Sequence, residues 1–482
     1  MLFNSIDFAL FLPLVFVLYW LIPVASVRLR NTFLILAGCV FYGWWDWRFL
    51  GLWFFTAGVD YLVALGFTRT VRPSGRKLLM ALSLTANLGL LFFFKYYDFF
   101  LLSFVEAFTW LGSPIDARPL GLVLPVGISF YTFQSLSYTF DVYRRKLPAV
   151  RDPSTFFAFV SFFPQLLAGP IERAHHMLPQ FSKPQPFREA AAYDGVRQML
   201  WGLFKKVVIA DNCASIVNPI FATHEVQDGS TLLLAVVLFA FQIYGDFSGY
   251  SDIAIGCARL FGFDLMRNFA YPYFSRDIPE FWRRWHISLS TWFRDYLYIP
   301  LGGSRGSLAK TIRNVMIIFL VSGFWHGANW TFLIWGGLNG LFFLPSLLSK
   351  ERKVMTDTVA QGRLLPTFKE LLAMLGTFLL ACFTWTFFRA ESVRQAFEVL
   401  GSIASPSLLT APSSYQKNTF QYVCLGVGIM LAMEWWCRDR QYGLQLDGKL
   451  PRYARLGVYY LVILVLFRCA PINGGEFIYF QF

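Results

Sequence analysis

Apolar runs recur from one end of this 482-residue chain to the other. Three clear examples are DFALFLPLVFVLYWLIPVA near the start, TLLLAVVLFAFQIY in the middle and YYLVILVLF near the end. Lipid offers the backbone no hydrogen bonds, so segments of this kind cross membranes as helices whose amide groups pair internally. Charged residues make up only 15% of the chain, against ~25% in soluble domains. The sequence therefore predicts an all-α, polytopic integral membrane protein.

The number of spans follows from the length that a helix needs to cross the hydrocarbon layer. At roughly 20 residues a span, we expect about eleven or twelve transmembrane helices, together with re-entrant and amphipathic cytoplasmic helices. The stretch 155–170 contains the helix-breaking sequence FFPQLLAGP and is predicted to be re-entrant. The stretch 196–221 carries three basic residues and is predicted to be amphipathic. The candidate spans are 8–25, 32–46, 49–67, 78–105, 119–140, 231–263, 312–326, 329–348, 371–388, 419–437 and 456–470.

The loops suggest how these spans are organised. Segments rich in Lys and Arg face the cytoplasm, and two basic segments are too long to be simple connectors. We therefore expect a single membrane domain with a central core that opens on the cytoplasmic side. The predicted organisation is 1–140 for the N-terminal helices, 141–348 for the core with cytoplasmic insertions 141–206 and 264–313, and 349–482 for the C-terminal helices.

Charge and cysteine content exclude several classes. The net charge of +13 comes from 42 Lys and Arg against 29 Asp and Glu. Basic loops beside apolar spans report topology and contact with anionic lipid, so membrane lipids and not nucleic acid are the expected partners. The seven cysteines include no CxxC pair, so neither a disulfide framework nor a metal site is predicted. No bound cofactor is expected, because P-loop and GxGxxG patterns are absent from the sequence.

His326 is the residue that most clearly suggests chemistry. It lies in the apolar sequence VMIIFLVSGFWHGANWTFLIWGG. An imidazole is costly to desolvate at membrane depth, and a neutral one in a dry pocket accepts a proton from a hydroxyl. The alternative is a packing histidine that is hydrogen-bonded to a neighbouring helix. We predict a catalytic role for His326 as a general base.

A second histidine, His286, lies in the cationic and aromatic sequence EFWRRWHISLSTWFRDYLYIPLGG. The pattern predicts an amphipathic helix that ends in a glycine turn and frames a pocket. The alternative is an interfacial helix with tryptophans among the headgroups and snorkelling arginines. In the first case Arg283, Arg284 and Arg294 are candidates to bind phosphate oxygens of a substrate.

A third polar group interrupts the apolar sequence FQIYGDFSGYSDIAIG, where two carboxylates must be paired, solvated by a cavity or protonated. The alternative is a set of polar contacts that join helices. This group and the aromatic residues near the histidines supply further substrate-binding candidates. They are Asp246, Ser248, Tyr250, Trp285, Trp325 and Asn329.

Five long motifs together resemble the bacterial membrane-bound O-acyltransferase (MBOAT) family, and within it the alginate branch. They are PQLLAGPI at 164–171, YGDFSGYSDIAIG at 244–256, FWRRWHISLSTWFRDYLYIPLGG at 281–303, WHGANWTFLIWGGLNG at 325–340 and FIYFQF at 477–482. The resemblance implies that His326 matches the invariant histidine of the family. It also implies that His286 matches a second histidine commonly implicated in catalysis.

The resemblance further implies a reaction and a place for it. An acyl group would pass from a cytoplasmic thioester donor, acetyl-CoA in the alginate branch, to a hydroxyl on the far side of a bacterial inner membrane. The acceptor would be an extracytoplasmic polysaccharide, reached directly or through a periplasmic acyltransferase partner. In this scheme His326 accepts the hydroxyl proton, and His286 is a candidate hydrogen-bond donor to the carbonyl oxygen.

Three alternatives stay open at this point. The D-alanyl branch of the family, which modifies teichoic acids from a carrier protein, shares much of the motif pattern. A glycan or lipid transporter would use the same polar residues as a translocation path. A purely structural subunit that recruits a soluble acyltransferase would retain function without its histidines.

Overall fold

A computed structural model describes residues 1–349, 355–413 and 415–471, together with 475, 477 and 478. The described part of the chain is helical and holds no β-strand, so the predicted all-α class is confirmed. Residues 479–482, which complete the FIYFQF motif, lie outside the described residues. The chain forms two compact units, which are described separately below.

The first unit comprises residues 1–188 and 261–265. Asp60 is a fully buried carboxylate of this unit, and it accepts hydrogen bonds from the hydroxyls of Ser83 and Ser135 and from the Asn87 amide. These donors come from two other helices, α4 and α6, so the carboxylate is satisfied within the helical packing. The helices are α1 Ile6–Leu21, α2 Val27–Asp46, α3 Phe49–Arg69, α4 Pro73–Leu91, α5 Tyr97–Trp110, α6 Ile128–Tyr143, α7 Pro153–Ser161, α8 Phe163–Leu166 and α9 Ala174–Phe181, with a π-helical turn Phe92–Tyr96.

The second unit comprises residues 189–260 and 266–482 and contains both candidate histidines. Helices α10 and α12 approach closely where Gly202 faces Gly249, because a Cβ atom on Gly202 would lie 2.5 Å from the Gly249 carbonyl oxygen. The helices are α10 Glu189–Leu203, α11 Asp211–Ala222, α12 Gly229–Leu260, α13 Ile278–Arg284, α14 Ile287–Phe293, α15 Leu308–His326, α16 Trp330–Leu348, α17 Phe368–Arg389, α18 Val393–Ile403, α19 Lys417–Trp436 and α20 Arg452–Cys469. Shorter 3₁₀ and π-helical turns join several of them, including the π-helical turns Phe204–Ala210 and Arg294–Tyr298.

Six helical segments within the described residues are long and apolar enough to cross a membrane. They are 49–69, 73–110, 229–260, 308–326, 330–348 and 368–389. Helices also form within the other predicted spans, but residues 119–127 of the span 119–140 are not helical, α1 is shorter, and α2 and α20 carry several charged residues. The polytopic character is therefore confirmed, whereas the full number of eleven or twelve spans stays a prediction.

Two local expectations are resolved by the structure. The break expected in 155–170 is present, because α7 ends at Ser161 and a separate short helix follows. The single amphipathic helix expected around His286 is wrong: α13 ends at Arg284, and α14 begins only at Ile287. His286 has a positive φ of 44°, a left-handed conformation that a right-handed helix does not accommodate. The expected glycine turn does follow, with positive φ at Gly302 and Gly303.

Candidate active site

His326 is the last residue of α15 and is only 3% exposed. Its ring lies edge-on to Trp335 of α16 and to Phe388 of α17, with ring centroids 5.0 and 5.4 Å away. The next residue is Gly327, and a Cβ atom there would lie 2.0 Å from the ring of Phe332. The glycine of the WHG sequence therefore leaves room for the aromatic residues that surround the imidazole.

His286 lies between α13 and α14 and is 1% exposed. Its Nδ1 atom is 3.0 Å from Oδ1 of Asn268, a buried residue in the segment after α12. The ring of Phe247, from α12, lies edge-on to the imidazole with centroids 4.6 Å apart. Desolvation of this buried ring lowers the pKa of His286 to about 3, so the imidazole is neutral at physiological pH.

The fold brings the two histidines together although they lie in separate elements of the sequence. Their ring centroids are 6.4 Å apart, and Trp325 lies 6.0 Å from the ring of His286 and 4.9 Å from that of His326. Two imidazoles at this separation can act on neighbouring atoms of one reacting pair, such as a hydroxyl and the carbonyl that it attacks.

Both rings line a cavity of about 720 Å³, a volume within the range typical of small-molecule sites. The cavity wall is largely apolar and includes Trp282, Phe319 and Phe343. Ser322 also lines the cavity, one helical turn before His326 on α15. The lining further includes Arg283, Arg294, Ser290 and Ser346. An apolar chamber with histidines and a cationic portion suits a substrate that has a reactive apolar end and an anionic end.

The three arginines proposed for phosphate binding have different surroundings. Arg283 lines the cavity and donates to the carbonyl of Met355, and Arg294 lines it with 59% of its side chain exposed. Arg284 is not among the described residues that line the cavity. Its guanidinium instead pairs with the fully buried Glu280 at 2.7 Å. Arg284 therefore neutralises a buried carboxylate.

The remaining candidates lie away from the cavity lining that the structure describes. Asp246 pairs with Lys206, the Ser248 hydroxyl donates to the Tyr244 carbonyl, and Tyr250 is buried against Phe477. Trp285 is buried in an aromatic cluster, where it stacks on Phe281. Asn329 caps α16 by accepting from the amide of Thr331. Trp325 contacts the rings of both histidines.

Sequence reasoning missed three residues that shape the site. Asn268 lies in an irregular segment, and no periodic pattern links it to a histidine 18 positions later. Phe388 ends an apolar helix in which it resembles its neighbours. Ser322 could have been predicted from the sequence, because a polar residue four positions before His326 lies on the same face of the helix.

Comparisons with known proteins agree with this architecture. The profile of MBOAT, the membrane-bound O-acyltransferase family, matches residues 128–386. The chain is 41% identical to the probable alginate O-acetylase of Azotobacter vinelandii, over 84% of this chain and 78% of that protein. It is also 41% identical to the probable alginate O-acetylase of Pseudomonas aeruginosa, over 84% and 75% of the two chains. The peptidoglycan O-acetyltransferase of Helicobacter pylori is 37% identical, over 83% and 79%.

These findings define a multi-pass membrane enzyme that transfers acyl groups to hydroxyls. The chain belongs to the membrane-bound O-acyltransferase family, as its motifs indicated. The O-acyltransferase activity of this family argues against the transporter and structural-subunit alternatives.

Proposed function

We propose that the protein is an O-acetyltransferase of the bacterial inner membrane. It takes an acetyl group from cytoplasmic acetyl-CoA and passes it across the membrane for O-acetylation of an extracytoplasmic polysaccharide such as alginate. A periplasmic acyltransferase partner completes the transfer. The names of the alginate and peptidoglycan relatives support an acetyl group and a glycan acceptor.

The observation that carries this proposal is the shared cavity of His286 and His326. Its volume of about 720 Å³ lies in the range of small-molecule sites, and its largely apolar wall suits the acyl portion of a thioester. Arg283 and Arg294 also line the cavity and are the proposed ligands of the acetyl-CoA phosphates, because guanidinium groups bind phosphate oxygens with two parallel hydrogen bonds.

In the proposed step, His326 accepts the proton of the acceptor hydroxyl while the oxygen attacks the thioester carbonyl. A C–O bond forms, the C–S bond breaks, and the CoA thiolate leaves and is protonated. A neutral imidazole in this position contributes about 10²–10⁴-fold to the rate. The His326 imidazolium gives its proton to the departing thiolate, which restores the neutral ring.

The test is transfer of labelled acetyl groups by the purified protein in lipid nanodiscs, with its periplasmic partner and polysaccharide oligomers. We expect label from acetyl-CoA in the oligomers for wild type, and its loss in His326→Ala. Near-normal transfer by His326→Ala would contradict the role of this residue. Labelled D-alanyl carrier protein and labelled acetyl-carrier protein form parallel arms, and transfer from either in place of acetyl-CoA would overturn the proposed donor.

A further inference from the structure

The hydrogen bonds around Asn268 determine which way its side-chain amide faces. The backbone N–H of Ser288 can only donate, and it lies 3.3 Å from the atom assigned as Oδ1 of Asn268. The other amide atom, Nδ2, lies 3.1 Å from the hydroxyl of Ser251, which can accept. An Asn268 amide in the opposite orientation would place an NH₂ group against the Ser288 N–H. The amide oxygen therefore faces α14.

This orientation assigns the proton on His286. Nδ1 of His286 is 3.0 Å from the same amide oxygen, which also accepts from the Ser288 hydroxyl at 2.9 Å. Since an amide oxygen only accepts, Nδ1 must carry the hydrogen. In a neutral imidazole the second nitrogen, Nε2, then holds the lone pair. The low pKa of His286, caused by burial, keeps the ring in this neutral state.

Asn268 also holds the backbone of His286 in its left-handed conformation. Its carbonyl accepts from the amide of Ile287 at 2.9 Å, and its side chain accepts from the next amide, that of Ser288. A histidine with φ of 44° is strained and persists only where its surroundings over-determine it. One asparagine thus sets both the position and the tautomer of the ring.

We propose that Asn268 is a positioning residue that fixes His286 as a hydrogen-bond acceptor through Nε2 within the acyl-transfer cavity. This inference rests on the proposed function of the cavity. It changes the role expected for His286, because a neutral ring protonated at Nδ1 has no hydrogen on Nε2 to donate to the carbonyl oxygen. His286 instead accepts a hydrogen bond from a donor group of a bound substrate, while the proton of the attacking hydroxyl goes to His326.

The first test reads the tautomer and does not depend on activity. The chain has five histidines, so ¹⁵N-histidine labelling gives five imidazoles, and loss of one signal in His286→Gln assigns the ring. We expect wild-type His286 to be protonated at Nδ1 near neutral pH and Asn268→Leu to show a mixed or Nε2-protonated ring. An Nε2-protonated ring in wild type would overturn the inference.

The second test compares kinetics of matched variants. For Asn268→Leu we expect kcat to fall about 10–100-fold with KM for the donor little changed, as for outer residues that orient metal-bound histidines. Asn339→Leu is the control, because Asn339 is also buried but donates to the carbonyl of Trp335 in its own helix. Wild-type kcat in Asn268→Leu, with an unchanged His286 tautomer, would refute the inference.

Asn268→Asp keeps the test valid if the leucine variant fails to fold. Its carboxylate still accepts from Nδ1, but its negative charge favours the imidazolium and moves protonation of His286 upward by about one pH unit or more. A new acidic limb in the pH profile of kcat is expected at that pH, and an unmoved ¹⁵N titration would contradict the inference.

His326→Ala in the same assay separates the two proposals. Activity in His326→Ala would overturn the proposed function. Loss of activity in His326→Ala together with normal activity in Asn268→Leu would overturn only the role of Asn268.

Discussion

Two buried polar regions of the second unit differ in what surrounds them. His286 and His326 line a cavity of about 720 Å³. The residues around Lys206 pack instead as ion pairs, with its Nζ atom 2.8 Å from Asp211 and 2.7 Å from Asp246. Lys205 similarly pairs with Asp252 at 2.6 Å. Both regions are buried, so depth alone does not distinguish a reaction site from a set of contacts that join helices. The feature that distinguishes the two histidines from the buried ion pairs is that the histidines line a cavity.

The largest effect should come from His326→Ala. We expect about a 10²–10⁴-fold fall in acetyl transfer, because the proton acceptor is lost. The melting temperature in detergent should stay within a few degrees of wild type, since the neighbouring aromatic contacts remain. If His326→Ala lost activity only because it unfolds, the distinction between the histidine cavity and the ion pairs of Lys206 would be wrong.

Lys206→Met should show the reverse pattern, in which the primary effect is a loss of folding stability. Removing one partner from a buried ion pair leaves Asp211 and Asp246 uncompensated and costs about 3–5 kcal/mol of folding free energy. Thermal unfolding followed by tryptophan fluorescence measures this loss. Adding Asp211→Asn and Asp246→Asn to the same chain should recover much of it. Full stability with lost transfer in Lys206→Met would instead assign this region to the reaction.

The pH dependence of stability should report the burial of His286. The ordinary pKa of histidine is about 6.5 and applies to the unfolded chain, whereas burial lowers the pKa of folded His286 to about 3. Between these two pKa values the unfolded chain binds the proton more readily than the folded chain. The free energy of unfolding therefore decreases, and the protein becomes less stable, as pH drops. From pH 6.5 to 5 we expect a contribution of about 1–2 kcal/mol. His286→Gln should show a shallower decline, and an identical slope would contradict the assignment.

The smallest effect is expected for the arginines of the cavity. Arg283→Ala and Arg294→Ala should each raise KM for acetyl-CoA about 2–5-fold, because partly exposed charge pairs contribute about 1 kcal/mol or less. Added salt should weaken donor binding in wild type more than in the variants. Arg284→Ala is the matched comparison: it should lower thermal stability by leaving Glu280 with one fewer partner. A higher KM with normal stability in Arg284→Ala would restore its predicted binding role.

Much of the fold and the principal residues followed from the sequence. Apolar length predicts membrane helices, and an imidazole in an apolar run draws attention because its burial is costly. The sequence left Asp246 and Asp252 paired, solvated or protonated, and the structure pairs them with the lysines preceding α11. It did not separate Arg283 from Arg284, which are adjacent in one short helix but face different neighbours.

The amino-acid sequence by itself determined the helical membrane class and the family, and it predicted His286 and His326 as candidate site residues. Each of these depends on local composition or on a continuous motif. Only the tertiary structure decided that the two rings share a cavity, that the chain breaks at His286 and that Asn268 holds its ring. These features depend on contacts between distant segments, such as Asn268 with Ser288 and His326 with Phe388. Such contacts form when helices pack, and no periodicity within one segment specifies them.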